Sequence, residues 1–117
     1  LINKLPNLVD SKISRDMIYI KDVVDLFITI ATKKVDFGEI YNMGSGIQST
    51  IKSIVDTTIS LTKATVTPKW GSMKPRIWDQ NTWVADMTKV RKKFDWEPQH
   101  NLEDGLAKTI NWNKVNR

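Results

Sequence analysis

From Met17 to Trp70 short β-prone runs alternate with stretches of helical period, and glycines break the chain between them. That alternation constrains the fold more than any single motif. MIYI at 17–20 carries Tyr and Ile and ends at Lys21 and Asp22, which predicts a first strand. Asp22, with Asp25 three residues on, suits the N-cap and first turn of a helix over 23–32. Its apolar residues, from Val23 and Val24 through Leu26, Phe27 and Ile28 to Ile30 and Ala31, cover most of the circumference. A helix of that kind is expected to be buried on more than one side.

Gly38 precedes EIYNM at 39–43, a second predicted strand, which runs into the Gly44-Ser45-Gly46 turn. Thr50 can cap the next helix, where Ile51, Ile54, Val55, Thr58 and Ile59 follow a period near 3.6. ATVTPKW at 64–70 alternates as a short strand with Pro68 at its edge. Residues 71–85 show no period and predict a long loop of the kind that tends to be functional. Asp86 can cap a helix over 87–94, Trp96-Glu97-Pro98 ends it, and Asn101 with Asp104 opens a last helix with Leu102, Leu106 and Ile110 on one stripe. The order β, α, β, α, β, loop, α, α favours an α/β layer with at least two parallel strands.

A strand, a glycine turn and a helix N-terminus together can hold an anion, so residues 39–55 invite comparison with a dinucleotide site. The fingerprint G-x-G-x-x-G needs a third glycine, and Ser49 stands there. No acidic residue follows at the distance where a ribose would be gripped, and no phosphate loop of the G-x-x-x-x-G-K-[ST] type occurs. The glycines therefore read as a tight backbone turn, with no cofactor bound by this chain. Glu97, Glu103 and Asp104 lie where they would flank helices, and no nucleophile has a dedicated histidine. With no cysteine there can be no disulfide and no thiolate metal site, and one histidine, His100, cannot build a zinc centre by itself. That usage suits a reducing compartment, and the expected location is cytoplasmic.

The 117 residues are enough for one domain, and no run approaches the roughly 20 apolar residues that span a bilayer. The chain lacks a signal peptide and does not begin with Met, so it is expected to be part of something longer. A net charge of +5 and the KVRKKF run at 89–94 raise the alternative of a small basic nucleic-acid-binding module. Lys89, Arg91, Lys92 and Lys93 on a short helix, with Val90 and Phe94 facing in, also describe an ordinary solvated face.

Three segments carry a resemblance. RDMIYIKDVVDLF at 15–27, GEIYNMGSG at 38–46 and VADMTKVRKKFDWEPQHNLEDGLAKTINW at 84–112 resemble, in order, the C-terminal half of nucleotide-sugar epimerases and dehydratases of the extended short-chain dehydrogenase/reductase family. The resemblance implies the last parallel strands and small α/β substrate-binding subdomain of an extended Rossmann-type enzyme, over residues 1–117, with the N-terminal cofactor half missing. It implies NAD or NADP in the full-length parent, which would act as an isomerase or lyase of carbohydrate metabolism. The family's catalytic Tyr-x-x-x-Lys pair is absent here, because Val23 follows Tyr19 and Ser45 follows Tyr41 at the fourth place. Catalytic residues are therefore expected to be none in this chain, which alone would be inactive.

In similar enzymes an R-x-x-D pattern before the Ala-Asp helix start grips the nucleotide sugar, and Arg76 and Asp79 match it here. A guanidinium suits a diphosphate because its planar fork donates two parallel bonds and keeps its charge. Trp78, where relatives often have glycine, makes Asp79 the weaker match for the ribose hydroxyls. Arg15 and Asp16 read chiefly as a structural charge pair at a strand edge, with Arg15 facing ligand as the alternative. Trp96 and Trp112 read as core or helix-packing residues, and Gly105 as a place where another element comes close. The expected partners are a nucleoside-diphosphate sugar and another chain paired at an exposed sheet edge, with neither nucleic acid nor membrane.

Overall fold

A computed structural model describes residues 6–35, 37–74 and 80–116. The elements run β1 (Ser14–Asp16), α1 (Ile20–Thr32), β2 (Gln48–Thr50), α2 (Ile51–Thr62), α3 (Thr88–Phe94) and α4 (Leu102–Val115). The chain is α/β as expected, but the strand pair formed by the described residues is antiparallel, with Arg15 opposite Ser49. MIYI, EIYNM and ATVTPKW form no ladder among the described residues. Their side-chain character suits a strand, yet a strand exists only where a second backbone supplies hydrogen-bond partners.

The helices follow local chemistry closely. Thr50 accepts the Ser53 N–H through its hydroxyl at 3.0 Å and Asn101 accepts the Asp104 N–H at 2.9 Å, so both expected caps form. Asp86 accepts the Thr88 N–H at 2.9 Å and serves the start of α3, although Met87 holds the cap position itself. Residues 71–74 and 80–87 carry no helix or strand, as the loop expectation requires.

The start of α1 differs from expectation. The helix begins at Ile20 with Tyr19 at the cap, and Asp22 is turned inward, 2% exposed. There it accepts the His100 N–H at 3.2 Å and meets His100 Nδ1 at 2.8 Å, while the His100 ring lies 4.8 Å from that of Tyr19. A buried carboxylate needs partners of this kind more than a helix end needs a cap. Asp25 likewise accepts the Trp96 indole N–H at 2.6 Å. Lys33 Nζ donates to the Phe94 carbonyl at 3.0 Å, so α1 is bound at both ends to the segment around α3.

The core lies between α1 and α3: Leu26, Met87, Val90, Phe94 and Trp96 are buried, with Tyr41 packed edge-on against Phe94 at 5.0 Å. α1 is not buried all round. Ile20, Val24, Phe27 and Ile28 are exposed, Phe27 at 61%, so within this chain one apolar side of the helix is covered and another is open. Trp96 is a core residue as expected, whereas Trp112, 63% exposed on α4, is not. Gly105 faces Tyr19, whose Cβ would lie 3.2 Å from an added methyl, which is the close approach its presence implied.

Candidate functional site

The Gly44-Ser45-Gly46 turn does hold an anion, and the anion is the protein's own. The Asp16 carboxylate receives the Ser45 N–H at 2.7 Å and the Ser45 hydroxyl at 2.5 Å on Oδ1, and the Gly46 N–H at 2.9 Å and the Ala85 N–H at 3.1 Å on Oδ2. Gly46 reaches this geometry at φ 71°, in the left-handed region that favours glycine. A Cβ on Gly44 would run into the Asp16 carboxylate and the Ala85 methyl group. Successive backbone N–H groups in such a turn form a concavity that suits an anion, and a carboxylate occupies it as a phosphate would. Burial alone would raise the Asp16 pKa, but the bonds from the Ser45 hydroxyl and from the Ala85, Ser45 and Gly46 amides outweigh it and hold the carboxyl below its ordinary range. The reading of Asp16 as half of a strand-edge charge pair is thus corrected: its partners are dipoles of two distant segments.

Arg15, its neighbour on β1, reaches the other way. Its Nη1 donates to the Ser14 carbonyl at 2.7 Å and to the Gln80 carbonyl at 2.8 Å. The Ser14 N–H donates to the Asn81 carbonyl at 2.8 Å. The segment 80–85 is thereby pinned to β1 at both ends, at Gln80 and Asn81 by Ser14 and Arg15 and at Ala85 by Asp16. On this frame opens a cavity of about 510 Å³, lined by Arg15, Asp16, Asn42, Met43, Trp83, Val84, Ala85 and Asp86. Asn42 Nδ2 donates to the Asp86 carbonyl at 3.2 Å and joins two of the walls. Trp83, 64% exposed, presents an aromatic face at the rim. The Thr88 hydroxyl and amide beside Asp86 lower its pKa, so both carboxylates of the cavity are ionised at neutral pH.

Arg76 and Asp79, the residues matched to the sugar-nucleotide grip, lie outside the described residues, as does Trp78. The described chain resumes at Gln80, directly beside Arg15. Asn42, Trp83 and Asp86 were not singled out from the sequence as site residues. Their common signal was faint: each lies in a stretch without helical period close to the glycine turn or the long loop. Among the described residues no group of His, Asp and Glu is placed to hold a metal ion, and no helix is long and apolar enough to cross a membrane.

Residues 2–109 match the family model described as GDP-mannose 4,6 dehydratase. The chain belongs to this family of NAD-dependent nucleotide-sugar dehydratases and epimerases. It is 32% identical over 108 residues to the UDP-glucuronate 4-epimerase of Thermodesulfobacterium geofontis, a match that covers 92% of this chain and 32% of the relative. Among solved structures, the Thermotoga maritima UDP-glucose 4-epimerase with UDP-glucose superposes with a TM-score of 0.82 at 28% identity, covering 94% of this chain and 35% of that one. The Bordetella bronchiseptica enzyme WbmF, in complex with NAD+ and UDP, superposes with a TM-score of 0.77 at 27% identity, covering 96% and 32%. The chain thus spans about a third of the length of the relatives it matches.

Proposed function

We propose that this chain is the nucleotide-sugar-holding, C-terminal part of an NAD(P)-dependent nucleoside-diphosphate-sugar epimerase or dehydratase. The observation that carries the reading is the cavity beside Arg15, framed by the segment that follows Arg76 and Asp79, in a chain of this family. In this reading Arg76 binds the diphosphate, Asp79 approaches the ribose hydroxyls, and Arg15 adds positive charge to the cavity wall. The relatives solved with UDP-glucose and with NAD+ and UDP supply the ligand classes. NAD or NADP, when bound in the parent, takes up hydride from a sugar carbon. This chain contains no Tyr-x-x-x-Lys and no glycine-rich cofactor fingerprint, so its own contribution is to bind and orient the sugar nucleotide.

The reading places the parent in the cytoplasm, as an isomerase or lyase of carbohydrate metabolism. The open apolar side of α1, with Val24, Phe27 and Ile28, is where the cofactor-binding half packs. Apart from that half, this chain covers the face, or a strand edge of β1 and β2, with a second copy of itself. The basic run on α3 serves the fold rather than nucleic acid: Lys89 pairs with Glu39, and Arg91 pairs with Glu97 at 2.5 Å.

Titration of the chain with UDP-glucose tests the assignment. Weak, saturable binding that Arg76→Ala abolishes is expected, with no turnover when NAD is added. Tight, salt-sensitive binding of a short oligonucleotide in its place would sink the reading.

A further inference from the structure

Four donors converge on the two oxygens of Asp16, and they come from segments 29, 30 and 69 residues away in sequence. One carboxylate therefore ties β1, the glycine turn and the segment after the long loop at a single point. Few side chains could replace it. Asparagine would set an amide NH₂ against two N–H donors, and glutamate is longer by a methylene where Gly44 already admits no Cβ. Both oxygens of Asp16 are occupied by the protein's own donors.

We infer that Asp16 is the positioning residue of the nucleotide-sugar site: by clamping Ala85 and the Gly44-Ser45-Gly46 turn, it sets the spacing between the Asn42–Met43 wall and the Trp83–Asp86 wall and aligns both with Arg15. The inference rests on the function proposed above and adds how the site is held. Arg15 fastens the 80–85 segment near Gln80 and Asp16 fastens it at Ala85, so loss of the second point lets the Trp83 end drift while the first stays tied. In enzymes, misplacing a substrate-positioning group by about 1 Å can cost about a hundredfold in rate.

The test uses the ¹⁵N-labelled 117-residue chain with UDP as the probe, at neutral pH, in the wild type, Asp16→Asn and Ser45→Ala. In the wild type, UDP is expected to move the amide signals of Asn42 and of residues 83–86. Asp16→Asn should weaken UDP binding about tenfold or more while the α2 and α4 signals keep their places. Ser45→Ala removes one donor of the four and should weaken binding about threefold and shift the Ala85 amide. The clamp itself has a signature in the free protein: on acidification of the wild type, the Ser45, Gly46 and Ala85 amides should titrate together with one midpoint below the ordinary carboxylate range. Asp16→Asn should abolish that shared titration.

Undiminished UDP binding by a folded Asp16→Asn overturns the inference, as do three amides that titrate independently. If Asp16→Asn does not fold, Ser45→Ala decides, and unchanged affinity with an unmoved Ala85 amide overturns it. A wild type that titrates as expected but does not respond to millimolar UDP overturns the proposed function and this inference with it. A wild type that binds UDP while Asp16→Asn binds equally well overturns this inference alone.

Discussion

Gly44 has no space for a methyl group, because the Asp16 carboxylate and the Ala85 side chain stand where a Cβ would project. Gly44→Ala should therefore destabilise the chain by about 1–3 kcal/mol, the usual cost of overpacking, and urea unfolding at neutral pH measures it. A variant as stable as the wild type would show that the three segments do not meet as described. The Asp16 carboxyl, held below its ordinary value in the fold, contributes stability that is fully present above the unfolded-state pKa of about 3.9 and lost as pH falls through the lowered folded value. Stability should thus fall on acidification below about pH 4, and less steeply in Asp16→Asn. The sequence reads Gly44-Ser45-Gly46 as a tight backbone turn, since Ser49 stands where a dinucleotide fingerprint needs its third glycine. That the turn holds the Asp16 carboxylate was not legible, because Asp16 is separated from it by a whole helix.

Caps are the part of an element most fully written in local sequence. Removing the side-chain acceptor in Asn101→Ala or Thr50→Ala should cost about 1 kcal/mol each, read as a shift of the denaturation midpoint at unchanged slope. Gly105→Ala is the informative contrast. Helix propensity alone would favour alanine by about 1 kcal/mol, but the new methyl would sit 3.2 Å from Tyr19 Cβ, so no net gain is expected. A thermal melt clearly above that of the wild type would mean that α4 has room to move away from Tyr19. The helices α2, α3 and α4 lie close to where period and caps put them, since both signals act within a few residues. β1, by contrast, lies at Ser14–Asp16 and not at 17–20, because its limits are set by the register with β2, a pairing across 34 residues (Arg15 to Ser49).

For the whole molecule, the open apolar side of α1 is a continuous apolar face left to solvent. Ile20, Val24, Phe27 and Ile28 lie along it, with exposures of 48–62%. Light scattering over a range of concentrations should show the isolated chain self-associating. Phe27→Lys should shift it toward monomer without lowering stability by more than about 0.5 kcal/mol, since an exposed side chain makes few contacts to lose. A strictly monomeric wild type would remove self-association from the proposed function.

What the sequence by itself determined was local and periodic: an α/β chain, the places of three helices and two of their caps, a tight glycine turn, a long loop, and motifs distinctive enough to indicate the family. Tertiary structure decided everything that joins residues far apart. It turned Asp22 from a cap into the buried partner of His100, set the two strands antiparallel, left one side of α1 and Trp112 in solvent, and gave the glycine turn an internal carboxylate. The physical reason is the same in each case. A cap or a helical period is settled within a turn or two of chain, whereas the partner of a buried charge or a strand is whichever group the fold brings within about 3 Å.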